Sequence, residues 1–248
     1  MSAPVRIAMW SGPRNVSTAM MRAFEARGDC AVSDEPFYAA YLAQTGLDHP
    51  MREEVLASQP QDWRKVADAM TGPAPGDAPV WYQKHMTQHM IGGFGLGWSD
   101  RCVNAFLIRS PESTLASYAQ KRQGFTLEEI GLPAQLAIFN RAADRLGRAP
   151  PVVDGADILK DPEGTLRLLC AALGIGFTPR MLSWPPGRRA GDGVWAPAWY
   201  EAVEKSTGFA PPRAEADFEG LEDALKPIAE AARPLYEALA RHRLAARP

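Results

Sequence analysis

The sequence predicts an α/β protein: three layers, α/β/α, with a central, mainly parallel sheet flanked by helices, in a single domain over residues 1–248. Two observations predict it. Short apolar runs of strand length stand at Ile7–Trp10, Cys30–Ser33, Val80–Gln83 and Val103–Ile108. The first and last of these turn through a Ser/Gly/Pro corner straight into apolar residues at helical spacing. A chain of 248 residues buries a substantial core, and one α/β domain of that size is ordinary.

Bulk properties exclude several classes. The formal net charge of −2 gives no electrostatic case for nucleic-acid binding. The opening MSAPVRIAMWSG enters a strand almost at once, so no signal peptide is expected, and no apolar run approaches membrane-spanning length. Cys30, Cys102 and Cys170 are odd in number and widely spaced, which argues against a disulfide framework and a zinc ribbon and fits a reducing cytoplasm.

In chain order, Ile7–Glu25 reads strand, tight loop, helix, with Ser17 and Thr18 as N-cap candidates ahead of Met20, Met21 and Phe24. Backbone N–H groups at such a helix start have no intrahelical partner and the helix dipole adds positive potential, so a phosphate is the natural guest, with Arg14 beside it. An ordinary βα turn is the alternative. The loop is not a Walker A motif, since no Gly-Lys pair follows Gly12. After the second strand, Asp34-Glu35-Pro36 places a carboxylate pair where open α/β sheets bind ligands, or else forms a solvated turn. Residues 38–70 are mostly helical in pattern, and Thr71–Pro79 is a Gly/Pro-rich connection.

The third strand, Val80–Gln83, ends in Lys84-His85, expected at the sheet's carboxyl edge near the loop. His85 and His89 lie four residues apart, but no zincin Glu and no third ligand accompany them, so no metal is expected. Gly92–Gly97 lacks the strand and spacing of a dinucleotide fingerprint and reads as a connection. Strand Val103–Ile108 leads into Arg109, then Ser110-Pro111-Glu112, a helix start with N-cap Ser, Pro at the first helical position and an acid in the first turn. Arg109 and Ser117, eight residues apart, would face one strand-to-helix corner, a charged fork and a hydroxyl suited to phosphate; a local ion pair and an exposed Ser are the alternative. Helices are expected over 133–146 and from Asp161 to Gly174, with a short extended segment at 150–154 between them. Arg188 and Arg189 lie in the glycine-rich stretch 185–195 ahead of Trp195, an exposed basic loop by composition. An apolar stripe from Leu221 to Leu239 is helical, broken or kinked at Pro227 and Pro234; it packs on the domain or forms a homodimer contact.

These motifs, taken together and in order from about residue 5 to 200, resemble those of the sulfotransferases that use 3′-phosphoadenosine 5′-phosphosulfate (PAPS). Pro13, Arg14, Asn15, Val16, Ser17 and Thr18 stand where that family has its 5′-phosphosulfate loop, with Asn15 and Val16 in place of the usual Ser-Gly; glycine permits backbone angles that valine resists. Glu35-Pro36 falls where several bacterial and carbohydrate-acting members carry their general base, whereas Lys84-His85 is similar to the Lys-x-His whose His is the base in cytosolic members, without the spacer. Arg109 and Ser117 match the 3′-phosphate pair, and Arg188, Arg189, Gly193 and Trp195 match the segment that closes over that phosphate.

The resemblance implies a P-loop-like fold and transfer of a sulfuryl group from PAPS to a hydroxyl or amine of a small acceptor. Arg14 and the N–H groups of residues 15–18 would hold the 5′-phosphosulfate, Arg109, Ser117, Arg188 and Arg189 the 3′-phosphate, and Glu35 or His85 would take the acceptor's proton, with no metal. A P-loop kinase and a non-catalytic nucleotide-binding protein are the competing readings.

Overall fold

A computed structural model describes residues 3–122, 124–212 and 214–245. Five parallel strands form one sheet in the order β2-β3-β1-β4-β5: β1 (Val5–Ser11), β2 (Cys30–Asp34), β3 (Val80–Met86), β4 (Val103–Ile108) and β5 (Val152–Asp154). Parallel strands need long crossovers, and helices supply them. The chain runs from β1 to the β2 edge and back through β3, then crosses to β4 and β5 on the other side. The carboxyl end of central β1 is therefore a topological switch point, the place where such sheets bind ligands.

Alternate strand residues feed two cores, as the two-residue period of a strand requires. Ala8, Trp10, Trp81 and Phe106 face one side. There they meet α4 (Trp63–Thr71), α5 (Pro111–Ala119), α6 (Leu132–Leu146) and α11 (Lys226–Ala240). Ile7, Met9, Tyr82 and Leu107 face the other, against α1 (Ser17–Glu25), α7 (Gly155–Lys160) and α8 (Pro162–Ala172). A smaller cluster joins α2 (Tyr38–Thr45) and α3 (Arg52–Ser58) to Trp195, α9 (Ala196–Trp199) and Tyr200, which precedes α10 (Glu201–Glu204).

Several local expectations are corrected. Val16 holds the N-cap position of α1 without a capping side chain, so Ser17 and Thr18 lie inside the first turn. Ser110 holds the N-cap position of α5, but no side-chain cap forms; its hydroxyl lies 3.4 Å from Glu215 Oε1 instead. Pro227 and Pro234 do not split α11: Pro227 falls in the first turn, where an N–H would have no partner anyway, and Pro234 is accommodated inside a helix of 15 residues. Of the two readings of the apolar stripe, packing on the domain or a homodimer contact, these residues follow the first: Leu221, Leu225, Ala232 and Leu239 are buried within the chain, with Ile228 and Leu235 against them. β3 continues past Gln83 to Met86, which carries Lys84 and His85 onto opposite faces of the sheet.

Candidate active site

The switch point opens into a cavity of about 410 Å³ lined by residues 13–19, Glu35, Lys84, Arg109 and Ser117, among others. Gly12 is required at its rim, because a Cβ there would stand 2.6 Å from the Ile130 carbonyl oxygen. The turn that follows places Arg14 in the left-handed region at φ 56°, and its guanidinium reaches across to donate from Nε to Ser117 Oγ at 3.1 Å. Arg109 donates in turn from Nη1 to the Arg14 carbonyl. The two groups read from sequence as separate phosphate ligands are thus joined in one basic corner. Burial lowers the pKa of Arg14 from its usual value, the electrostatic signature of a cation held out of water. Two arginines lining one partly dry cavity favour an anionic guest there.

Val16 adopts φ −77° and ψ 21°, on the negative-φ side, so the loop does not call on the left-handed freedom of glycine at this position. The left-handed residue is Arg14 instead. Asn15 braces the loop: its Oδ1 accepts from the Val16 N–H at 2.8 Å and its Nδ2 donates to the Leu107 carbonyl at 3.2 Å. The Val16 N–H is consequently engaged within the loop. Val16 also packs against the second core, so Val16→Gly should lower stability by about 1 kcal/mol in urea unfolding. A gain in stability would show that valine strains the loop.

Opposite the basic corner lies a buried polar network on the ends of β2 and β3. Lys84, 1% exposed, spends its three ammonium hydrogens on Asp34 Oδ1 at 2.9 Å, Glu35 Oε1 at 2.7 Å and the Tyr200 hydroxyl at 2.5 Å. Tyr200 donates to Asp34 Oδ2 at 2.7 Å and accepts from Trp195 Nε1 at 3.1 Å; Asp34 Oδ2 also accepts from the Gly193 N–H at 3.0 Å. Glu35 adopts φ 41°, and its backbone is held there by hydrogen bonds to the Lys84 carbonyl, the Tyr38 N–H and Gln59 Nε2. Burial raises the Glu35 pKa; Lys84 opposes that shift and the Asp34 charge adds to it, as two carboxylates share one ammonium. Lys84 is raised above the usual lysine value by those carboxylates despite burial and stays charged.

The structure separates other expected site residues from the cavity. His85 lies on the opposite sheet face, stacked 4.7 Å from Trp10 and packed near Trp98 and Phe37, with Nε2 3.2 Å from Gln83 Oε1; burial pushes its pKa down to about 3. Strand alternation sends Lys84 to the cavity and His85 into the core, so His85 is not placed as a base. Arg188 and Arg189 are not among the residues that line the cavity with Arg109. Arg188 faces Glu204 at 3.8 Å, and Arg189 faces Glu25 at 3.5 Å while its N–H donates to Asp192. A 2.6 Å ion pair between Asp192 and buried Arg22 anchors that loop against α1. The loop reaches the site instead through Gly193 and Trp195.

Lys84, Asp34, Tyr200 and His89 are cavity or network residues that sequence reasoning did not assign. The sequence put Lys84 and Asp34 at the sheet's carboxyl edge without giving either a role and weighed His89 only as a metal partner of His85; Tyr200 carries no local signal. No group of three His, Cys, Asp or Glu residues among the described residues is placed to hold a metal, and no described helix is long and apolar enough to cross a membrane.

Comparison with known proteins places the chain in a domain family. The sulfotransferase domain family matches residues 5–243. The chain is similar in structure to the sulfotransferase domain of the Synechococcus PCC 7002 olefin synthase (TM-score 0.59, 18% identity, 100% of this chain and 98% of that one). It is also similar to a sulfotransferase from Alicyclobacillus acidocaldarius (TM-score 0.54, 14% identity, 98% of each chain). In sequence it is 38% identical over 205 residues to branched-chain-amino-acid aminotransferase-like protein 2 of Arabidopsis thaliana, covering 82% of this chain but 36% of that protein. The chain thus spans well under half the length of such relatives. With a basic loop after β1, an Arg/Ser pair after β4 and a match along nearly its whole length, the chain belongs to the sulfotransferase domain family.

Proposed function

We propose that the protein transfers a sulfuryl group from PAPS to a small acceptor, with Glu35 as the general base. One observation carries this reading: the Arg14–Ser117 bond of 3.1 Å and the Arg109 contact to the Arg14 carbonyl gather both expected anion-binding ends on one cavity wall, and Glu35 lines the same cavity. The volume of about 410 Å³ suits a nucleotide-sized ligand.

In this reading Glu35 accepts the acceptor's proton as an acceptor lone pair forms the new bond to sulfur. The bond from sulfur to the 5′-phosphate oxygen breaks, and its electron pair leaves on that oxygen. Arg14, with the free N–H groups at the start of α1, stabilises the charge developing there. Arg109 and Ser117 hold the 3′-phosphate and set the register of the donor. Lys84 donates to Glu35 Oε1 and orients that carboxylate, and Tyr200 fixes Lys84 in turn by accepting from its ammonium.

Thermal unfolding with 3′-phosphoadenosine 5′-phosphate (PAP), ATP plus Mg²⁺ and adenosine 5′-phosphate tests the donor. PAP at a hundred times its Kd should add roughly 2.7 kcal/mol of stability. Arg109→Ala should abolish that gain. Equal stabilisation by ATP with Mg²⁺ would favour a kinase, and no response to PAP would end the PAPS reading.

A further inference from the structure

Beyond Glu35, a second polar group faces the acceptor end of the cavity. His89 lies in the short turn after β3, in the residues Thr87–His89. Thr87 anchors that turn, donating to the Gly131 carbonyl at 2.9 Å. The His89 ring is clamped between two tyrosines of α2, 4.6 Å from Tyr38 at 13° and 4.8 Å from Tyr41 at 27°. Stacking on both tyrosines holds the plane of the imidazole, and one ring nitrogen in that plane faces Glu35. That nitrogen is Nε2, 4.0 Å from Glu35 Oε2. The other carboxylate oxygen, Oε1, is committed to Lys84.

A separation of 4.0 Å is too long for a direct hydrogen bond and fits one oxygen atom lying within hydrogen-bond reach of both groups. We infer that this gap is the seat of the acceptor atom, that His89 Nε2–H donates to it while Glu35 Oε2 accepts its proton, and that the site therefore takes hydroxyl acceptors and rejects amines. The inference rests on the sulfuryl-transfer reading and narrows its acceptor class.

Lone pairs decide the selectivity. A hydroxyl oxygen has one hydrogen and two lone pairs: the hydrogen goes to Glu35, one pair accepts from His89, and the other forms the bond to sulfur. A neutral amine nitrogen has a single pair. If it accepts from His89, it cannot attack; if it attacks, the buried Nε2–H loses its partner, and a site left with an unpaired polar group discriminates strongly.

The protonation state of His89 agrees. Burial and the nearby Lys84 charge hold it well below the usual histidine value, so the ring is neutral. Its Nδ1 is buried with no hydrogen-bond partner. A bare lone pair is tolerated there better than an orphaned N–H, which places the proton on Nε2, towards the Glu35 carboxylate. The surroundings of the acceptor end are also balanced. His49, whose Nδ1 lies 2.8 Å from the Tyr38 hydroxyl, is kept neutral with its pKa pushed down to about 4, and Arg122 is paired with Glu129 at 2.7 Å. Tyr38, Tyr118 and Trp199 add aromatic side chains to the same cavity wall as His49 and His89, which suits an uncharged alcohol or phenol.

The experiment compares PAP release from PAPS with phenol, benzyl alcohol and aniline as acceptors, all uncharged at neutral pH. Parent, His89→Phe and His89→Gln proteins are tested; phenylalanine keeps the stacked ring and glutamine restores an N–H donor. We expect aniline to react at least ~10²-fold more slowly than phenol, His89→Phe to lower the hydroxyl rates by about 10²-fold with the PAP-induced thermal shift intact, and His89→Gln to recover much of the loss. Histidine ¹⁵N spectra should show the Nε2–H tautomer for His89. Equal rates for aniline and phenol, an undiminished His89→Phe enzyme, no transfer to any hydroxyl while PAP still binds, or an Nδ1–H tautomer would each overturn the inference. Absence of the PAP shift in the parent protein would instead overturn the PAPS reading, whatever the tautomer.

Discussion

Glu35→Gln should lower the transfer rate by about 10²–10⁴-fold, the usual worth of a positioned general base, while the PAP-dependent thermal shift survives. Glutamine keeps the shape and an oxygen for Lys84 but cannot take a proton. The pH profile gives an independent reading of the same group. Burial, reinforced by the Asp34 charge, raises the Glu35 pKa, so the acid limb of kcat/KM should lie above the ordinary carboxylate range. Activity is present where Glu35 is ionised and is lost as pH falls through that raised value. In Glu35→Gln the limb should vanish with the rate. A variant as active as the parent, with the limb unchanged, would take Glu35 out of the role.

Lys84→Met should destabilise the fold by about 3–5 kcal/mol, because it leaves two buried carboxylates facing each other without their shared cation. The Tyr200 hydroxyl loses a donor in the same step. The folded-state pKa of Lys84 is raised, so its contribution is fully present below the ordinary lysine pKa, is unchanged across neutral pH and is lost only in strongly alkaline solution. The loss in the variant should therefore be measurable by urea unfolding at neutral pH. It should be largest where both carboxylates are ionised and should shrink as acid neutralises them. The residual activity should show an acid limb displaced further upwards, since the charge that opposed the rise of the Glu35 pKa is gone. A Lys84→Met protein of parental stability would mean that water or rearrangement satisfies Asp34 and Glu35.

Asp34 links these effects to a distant part of the chain. It accepts from Lys84, Tyr200 and the Gly193 N–H, so the segment 193–200 is latched to the end of β2 by one carboxylate. The Asp192–Arg22 pair anchors the preceding residues in the same way. The loop that the family resemblance assigned to the 3′-phosphate thus helps build the surroundings of Glu35, and its two arginines face Glu204 and Glu25.

Local chemistry in the sequence determined what depends on near neighbours. The strand-loop-helix at residues 7–25, the carboxylate pair ending β2 and the eight-residue spacing of Arg109 and Ser117 all follow from apolar period, turn residues and parallel-sheet geometry. Tertiary structure alone decided what depends on which face or edge a side chain meets. Whether Lys84 or His85 reaches the cavity turns on β3 running to Met86, since alternation reverses direction at each residue. Whether Arg188 and Arg189 join Arg109 turns on the side of the sheet to which an Asp192–Arg22 contact, 170 residues apart in sequence, ties their loop. The pairing of Lys84 with Tyr200, 116 residues away, and the stacking of His89 on α2 arise from packing between elements, which no local pattern encodes.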